Sequence, residues 1–210
     1  HAQQNLGEPP NSWWSGNNQS LPVKTKFSST WISQALFIRL RAKCKNKGVS
    51  LTAGFMSLIA ATFFRLLPEE YTVIQGDCAV SLRRFLPDSI NPRPVGCYVG
   101  SFSESYQKDS FAIWRDAGRT KATIDGTLRG RGTDMPVGYL SHVPDLTQWL
   151  KNKIGKKRWA AWGLSNVGGL GEAPGLDPSD RQIQGIMFSQ SASACSVVVK
   201  MSTVSDRAGG

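Results

Sequence analysis

The amino-acid sequence predicts an α/β fold in which a mixed β-sheet is packed with helices. Several segments in both halves of the chain show the two-residue alternation of half-buried strands, and apolar stretches with helical spacing lie between them. Hydrophobic residues make up 40% of the 210 residues and charged residues 19%, which is typical of a packed core. This length suits one domain, or one lobe of a larger protein.

The N-terminal residues 1–22 are predicted to be a linker or a surface crossing, and residues 23–210 the folded unit. Three prolines and a middle rich in Ser, Asn and Gly favour irregular backbone there, although Trp13 and Trp14 should dock on the folded part. The chain starts without an initiator Met and ends just after a strand-like stretch. We therefore expect it to be truncated at both ends.

Residues 24–32 alternate well enough to predict a strand, and a helix is expected from Ser33 onward. Its apolar stripe would contain Leu36, Phe37, Leu40 and Cys44. Gly48 is a natural C-cap for this helix, and Ser50 a natural N-cap for the next. That second helix, residues 51–66, is apolar around most of its circumference. It falls short of the roughly 20 apolar residues that span a bilayer, so we predict a buried helix and no transmembrane segment.

The rest of the chain completes the mixed pattern. Helices are predicted at residues 110–128, with Ile113, Ala117, Ile124 and Leu128 facing inward, and at residues 134–154, interrupted near Pro144. Strands are predicted at residues 71–82, 95–106, 159–167, 184–191 and 196–205.

The chain is basic, with 25 Lys and Arg against 15 Asp and Glu, a formal net charge of +10. Such a surface attracts anions: nucleic acid, an acidic membrane face or a phosphorylated cofactor. The basic residues cluster at 39–47 and 151–158, without the aromatic interleaving of a single-strand binding groove. No nucleic-acid-binding motif is present, so solvated helix faces are favoured over a nucleic-acid partner.

Metal and histidine chemistry find little support in the sequence. The four cysteines are far apart and form no Cys-x-x-Cys pair, which indicates no metal site and a reduced, intracellular protein. Of the two histidines, His142 lies beside a helix-interrupting proline and His1 in a polar end. Neither is expected to be a catalyst.

A strand at residues 159–167 is predicted to end in Ser165 and Asn166, followed by glycines. Gly163-Leu-Ser-Asn-Val-Gly168 misses the Gly-x-Ser-x-Gly pattern of a nucleophilic serine by one place, and no phosphate-loop Gly-Lys-Ser/Thr follows. One interpretation is a turn in which Asn166 bonds its own backbone and the glycines adopt positive φ. The other is that Ser165, Asn166 or nearby N–H groups line a cleft and orient an acyl carbonyl.

The order of four short stretches resembles a known family. They are Lys47-Gly-Val-Ser-Leu-Thr-Ala53, Val80-Ser-Leu-Arg-Arg-Phe-Leu86, Val95-Gly-Cys-Tyr-Val-Gly100 and Trp162-Gly-Leu-Ser-Asn-Val-Gly168, and Phe188-Ser-Gln190 with the following strand extends the resemblance. This order is similar to the C-terminal half of fungal alcohol O-acetyltransferases, within the chloramphenicol acetyltransferase-like superfamily of BAHD acyltransferases and condensation domains. The resemblance runs from about residue 24 to the end.

The resemblance implies one lobe of a two-lobed acyltransferase, in which acyl-CoA and an alcohol acceptor enter a tunnel between lobes. The family's catalytic His-x-x-x-Asp-Gly motif belongs to the N-terminal lobe. Here His142-Val-Pro-Asp145 is one residue short, and His1-Ala-Gln-Gln-Asn5 ends in the wrong residue. The resemblance therefore implies a C-terminal lobe that has no catalytic residue of its own and is inactive without its N-terminal lobe.

Its implied co-substrate is acyl-CoA, such as acetyl-CoA, and its implied location is cytoplasmic or peripheral to membranes. Tunnel or oxyanion candidates are Ser165, Asn166, Gly168 and Ser189. The alternative function is a non-catalytic binding or scaffolding module built on the same lobe.

Overall fold

The computed structural model describes residues 9–87, 96–133, 135–169, 188–189 and 197–205. Four strands form one mixed sheet in the order β2-β1-β3-β4. The helices and strands are α1 (Gln34–Asn46), α2 (Leu51–Leu66), β1 (Val73–Ser81), β2 (Val99–Gln107), α3 (Ile113–Arg129), α4 (Leu146–Lys151), β3 (Ala160–Gly169) and β4 (Val197–Ser205). Short 3₁₀ helices lie at Arg83–Phe85 and Pro136–His142.

The sheet combines an antiparallel hairpin with a parallel half. β1 pairs with β2 from Val73 opposite Gln107 to Ser81 opposite Val99. On its other side β1 runs parallel to β3, and β3 runs parallel to β4. The predictions of a mixed sheet and of strands at residues 71–82, 159–167 and 196–205 are confirmed, and the strand predicted at 95–106 is confirmed from Val99 onward. The strand predicted at 184–191 lies largely outside the described residues.

The buried helix predicted at residues 51–66 is confirmed as α2. The Ser50 hydroxyl caps it by accepting a hydrogen bond from the Ala53 N–H at 3.2 Å, which satisfies one of the free N–H groups of the first turn. At Gly54 a Cβ would lie 2.6 Å from Cys44 Sγ, so the glycine lets α1 approach closely. In the part of the chain that is described, no single helix could cross a bilayer, and the α1–α2 pair has the combined length and composition but bends by 105°.

The centre of the core is Trp162 on β3, which is fully buried. Its indole lies over Gly76 of β1, where a Cβ would come within 2.3 Å of the ring. The same indole stacks on Phe63 of α2 at 5.2 Å and on Tyr106 of β2 at 5.8 Å. From its place on β3, Trp162 therefore contacts α2, β2 and β1. Because Gly76 has no side chain, the indole has room above β1.

Helix α3 is attached to β2 by a cluster of ionised groups. Arg119 forms an ion pair with Glu104, contacts Asp116 Oδ1 at 3.1 Å and donates to the Ser105 carbonyl at 2.6 Å. Asp116 also caps the helix by accepting from the Ala112 N–H at 2.8 Å. The Glu104 and Asp116 side chains are only 5% and 8% exposed, so both carboxylates depend on these partners.

The N-terminal segment docks on the sheet, as predicted for Trp13 and Trp14. Trp13 forms a parallel bridge with Val73, at the start of β1, and packs edge-on against Trp159, just before β3, with ring centroids 5.9 Å apart. Trp14 packs on Phe63 at 5.2 Å. The segment is thus inserted where β1 and β3 begin.

Three predictions need correction. Residues 24–32 form no strand, because they are exposed and pair with none of the described strands. Their apolar residues therefore face no part of the described core, and alternation alone does not make a strand. Within α1, Leu36 is 52% exposed, because only the C-terminal part of the stripe, around Cys44, meets α2. The helix predicted at 134–154 is instead the 3₁₀ helix Pro136–His142 followed by α4, and the predicted break near Pro144 is confirmed.

Candidate functional site

The carboxyl ends of β1, β3 and β4 lie at the same edge of the sheet, because these three strands are parallel. We call this the carboxyl edge and define it by Ser81, Asn166 and Thr203 on the strands. The first turn of α2 also reaches it, since Thr52 contacts Asn166. In open α/β sheets ligands bind in the crevice outside this edge.

Asn166 connects three parts of the carboxyl edge. Its Nδ2 donates to Thr52 Oγ1 at 3.0 Å, and its Oδ1 accepts from Thr203 Oγ1 at 3.0 Å and from the Gly168 N–H at 3.1 Å. These bonds use three of the four positions of a side-chain amide, so within the described residues one Nδ2 hydrogen has no acceptor. The amide is thereby fixed before any ligand arrives.

Gly168 has the left-handed conformation that glycine favours, with φ of +83°. A Cβ at this position would meet no described atom within 4 Å, and the positive φ is what favours the glycine. The pairing of β3 with β4 shifts register between Asn166 and Gly169. The positive φ of Gly168, the register shift and the bond from the Gly168 N–H to Asn166 together form a turn. This turn uses the side-chain oxygen of Asn166 and leaves its Nδ2 group available to other acceptors.

Ser165 lies on the opposite face of β3 from Asn166, because side chains alternate along a strand. The same alternation and the strand pairing place other small or polar residues on this face, which we call the polar face: Gln75, Asp77, Ser103, Ser105, Gly163 and Ser165. Ser103 donates to Asp77 Oδ1 at 2.7 Å, and Ser105 donates to Gln75 Oε1 at 3.2 Å. Hydrogen bonds therefore link β1 and β2 across the polar face.

Asp77 lies in the middle of the polar face, where burial raises the pKa of its carboxyl and the hydrogen bond from Ser103 lowers it only in part. A raised carboxyl pKa means that stability is lost as pH rises from the unfolded pKa through the folded one. Asp77→Asn should therefore be more stable than the original chain at neutral pH, and the difference should disappear at acidic pH. Urea denaturation at both pH values measures this.

Asp116→Asn is the matched control for Asp77→Asn. Burial would raise the pKa of Asp116, but hydrogen bonds from Ala112, Arg119 and Arg115 outweigh it and lower the pKa. This control should lose stability at neutral pH, where Asp77→Asn gains it. An Asp77→Asn protein that is less stable at neutral pH would contradict the assignment.

The other sequence candidates lie elsewhere. Ser189 is exposed and belongs to no described helix or strand, and no described contact joins it to Ser165, Asn166 or Gly168. His142 is exposed at the end of its 3₁₀ helix. Among the residues that the structure describes, no group of three or more His, Cys, Asp or Glu is placed to hold a metal ion.

Sequence reasoning missed Thr52, Thr203 and Asp77 as members of this region. Thr52 and Asn166 are 114 residues apart, so no local pattern could pair them. For Asp77 a signal was available, since an acidic residue in the middle of a β-strand is unusual.

The structure is a mixed α/β sheet whose parallel strands end at hydrogen-bonded polar side chains, the edge at which ligands bind in many α/β proteins. The family model for alcohol acetyltransferases matches residues 14–210. This chain belongs to the alcohol acetyltransferase family, which confirms the resemblance found in its sequence.

The chain is 26% identical to the probable alcohol acetyltransferase crmB of Aspergillus fumigatus. The match covers 93% of this chain and 46% of crmB, so the chain spans about half the length of the curated relative it matches.

Two solved structures are similar in part. Polyketide synthase associated protein 5 from Mycobacterium tuberculosis has a TM-score of 0.47 and 15% identity, over 79% of this chain and 43% of that one. PapA2 acyl transferase has a TM-score of 0.49 and 13% identity, over 74% of this chain and 33% of that one.

Proposed function

We propose that this chain is the C-terminal lobe of a CoA-dependent O-acyltransferase that moves an acetyl or other acyl group from acyl-CoA to an alcohol. The observation that carries the proposal is the alcohol acetyltransferase match over residues 14–210, in a chain that spans 46% of its relative crmB. In this proposal residues 23–210 form the lobe, residues 1–22 cross its surface, and an N-terminal lobe of the same polypeptide completes the tunnel.

The reaction needs two contributions from the protein, a general base and hydrogen-bond donors. The base removes the proton of the acceptor hydroxyl as its oxygen attacks the thioester carbonyl, and it returns that proton to the CoA thiolate when the tetrahedral intermediate collapses. Hydrogen-bond donors fixed in advance stabilise the oxyanion of that intermediate. We assign the base to the N-terminal lobe, since His142 is exposed and no described contact joins it to the carboxyl edge.

This lobe would contribute donors and shape. The Nδ2 hydrogen of Asn166 that has no acceptor among the described residues is a suitable oxyanion or carbonyl donor, because the other three bonds of the amide fix its orientation. Ser165 would line the tunnel from the polar face, and Gly168 would keep the strand end free of a side chain. Ser189 is included in the proposed tunnel because it belongs to the stretch Phe188-Ser-Gln190 of the family resemblance.

The net charge of +10 suits an acyl-CoA co-substrate, whose phosphates are anionic. We assign an alcohol as the acceptor because the chain belongs to the alcohol acetyltransferase family. A cytoplasmic protein, soluble or held at a membrane surface, would meet both substrates.

In the two-lobed protein, Asn166→Ala should lower kcat for acyl transfer by about 10² to 10³, the usual cost of losing one oxyanion donor. Thr203→Val is the matched control: it removes one bond to Oδ1 but leaves the Nδ2 donor in place. It should lose stability while keeping most of its activity. The measurements are acetyl transfer from acetyl-CoA to a simple alcohol and thermal unfolding of each variant.

Equal losses of activity in the two variants, in proportion to their losses of stability, would make Asn166 a turn residue only. The lobe assignment has its own test, because the 210-residue chain alone should show no acyl transfer. Turnover by this chain that His142→Ala abolishes would overturn it. A folded two-lobed protein that binds acetyl-CoA without transferring the acetyl group would indicate a binding module.

A further inference from the structure

Residues 21–47 present exposed apolar side chains and basic side chains on one continuous stretch of the chain, which we call the basic strip. It consists of the irregular segment 21–33 and the helix α1 that follows it. The Ser33 hydroxyl caps α1 by accepting a hydrogen bond from the Leu36 N–H at 3.4 Å. The irregular segment therefore leads directly into the first turn of the helix.

Only the inner side of α1 is packed against the rest of the protein. Leu40 and Cys44 belong to a small apolar cluster with Leu51 at the start of α2, and Cys44 lies close to Gly54. Most of the other side chains of α1 are exposed. The helix can therefore bind a partner on its outer side without leaving α2.

Large apolar side chains are concentrated in the first part of the basic strip. Sixteen large hydrophobic side chains are exposed among the described residues, and seven of them lie within residues 21–38. Phe27 is 72% exposed and Trp31 is 81% exposed. The seven are Leu21, Val23, Phe27, Trp31, Ile32, Leu36 and Ile38. Single exposed apolar residues are normal on a protein surface, but a concentration of them marks a place where something binds.

The basic strip is also strongly cationic. Residues 9–68 contain no Asp or Glu, and residues 21–47 contain seven Lys and Arg. All seven are exposed, and none forms an ion pair with another described residue. They are Lys24, Lys26, Arg39, Arg41, Lys43, Lys45 and Lys47. The dipole of α1 accounts for basic residues in its last turn only, so the rest of this charge is left to attract an anionic partner.

The combination of charge and apolar surface selects the partner. A solvated helix face would explain the cations but not the exposed apolar side chains. A second protein lobe could cover the apolar side chains, but the cores of protein interfaces are depleted in lysine. Single-stranded nucleic acid would suit the cations and two of the apolar side chains, since bases stack on aromatic rings, but the other five are aliphatic. An anionic lipid surface suits both groups, because its phosphates attract Lys and Arg while its interior accepts aliphatic and aromatic side chains alike.

We infer that the basic strip binds the surface of an anionic phospholipid membrane, with α1 lying in the plane of the headgroups. The cations would meet the lipid phosphates. Phe27, Trp31 and Ile32 would enter the boundary between headgroups and acyl chains, a position that tryptophan favours. The inference is independent of the proposed function, because binding to a membrane requires no catalysis.

Cosedimentation of the 210-residue chain with phospholipid vesicles tests this. Vesicles of phosphatidylcholine with roughly one-quarter phosphatidylserine should bind the chain at least about tenfold more tightly than vesicles of phosphatidylcholine alone, since each Lys or Arg at an anionic surface contributes about fivefold. Raising the NaCl concentration from about 0.1 M to about 1 M should remove most of the difference, because the screening length falls from about 10 Å to about 3 Å.

A charge variant and a matched control locate the contact. Arg39→Gln combined with Arg41→Gln should weaken binding to the anionic vesicles about 25-fold, which is the product of two such contributions. Arg129→Gln combined with Lys151→Gln removes an equal charge from exposed positions outside the basic strip. The control should bind nearly as tightly as the original chain. Circular dichroism checks that both double variants are folded.

Trp31 provides a second measurement that does not depend on affinity. Phospholipids with a doxyl group on the acyl chain should quench part of the tryptophan fluorescence of the bound chain. Trp31→Phe should remove most of that quenching and keep nearly the same affinity, because the ring that enters the boundary is still aromatic. The other six tryptophans of the chain lie outside the basic strip.

Four results would overturn the inference. Equal binding to vesicles with and without phosphatidylserine would contradict the role of the cations, and quenching that persists in Trp31→Phe would place the strip away from the lipid. Single-stranded RNA that binds more tightly than the anionic vesicles would make the strip a nucleic-acid site. A two-lobed protein that binds no vesicles and shields Trp31 from acrylamide would show that the other lobe covers the strip. None of these results bears on acyl transfer, which is the separate test of the proposed function.

Discussion

Replacing Trp162 by alanine is expected to lower the free energy of unfolding by about 3–5 kcal/mol, the range for removing a large aromatic side chain from a core. The indole is fully buried, stacks on Phe63 and Tyr106, and fills the space above Gly76. Neighbouring strands and helices cannot close a cavity of that size without breaking their own pairing. Chemical denaturation followed by circular dichroism measures the change.

Trp31→Ala is the matched control for Trp162→Ala, because the Trp31 side chain is 81% exposed. It should change the free energy of unfolding by less than about 0.5 kcal/mol, as for other surface positions. Similar losses at the two tryptophans would show that Trp31 is covered in the protein in solution, or that Trp162 is not at the centre of the core.

Arg119→Ala should destabilise the protein by about 3 kcal/mol, the lower end for breaking a buried ion pair, since Arg119 is itself 45% exposed. The loss comes mainly from leaving Glu104 buried without its cation. Adding Glu104→Gln to Arg119→Ala should therefore recover part of the stability. A double variant that is less stable than Arg119→Ala alone would contradict this account.

The difference in stability between Arg119→Ala and the original chain should be largest at neutral pH. The pKa of Asp116 is lowered in the folded protein, because hydrogen bonds from Ala112, Arg119 and Arg115 outweigh the effect of its burial. The stability it contributes is fully present above the unfolded pKa of about 3.9 and is lost as pH falls through the folded pKa. The difference between Arg119→Ala and the original chain should accordingly shrink in acid.

Local sequence signals were sufficient to predict the helix ends that are set by a single nearby residue. Ser50 predicts the start of α2 because its hydroxyl can bond the first turn, and Pro144 predicts a break because it lacks an N–H group. The strand predicted at residues 24–32 failed for the opposite reason. Alternation specifies which face would be buried, but it does not supply the neighbouring strand that makes a segment a strand.

The candidate site was predictable in position but not in its contacts. Ser165, Asn166 and Gly168 lie at the end of a strand, as their order along the chain indicates. The bonds from Asn166 to Thr52 and Thr203 depend on how α2 and β4 pack beside β3, which is a property of the tertiary structure. The ion cluster of Glu104 and Arg119 likewise exists only because α3 lies against β2.

The insertion of the N-terminal segment at the start of β1 and β3 has a consequence for synthesis on the ribosome. The β1–β2 hairpin can pair soon after it emerges, because its contacts are local. Trp13 emerges long before Trp159, against which it packs, and Asn11 long before its partner Lys157. Residues 11–14 therefore lack these partners until β3 has been made, and they are among the last of the described residues to reach their final positions.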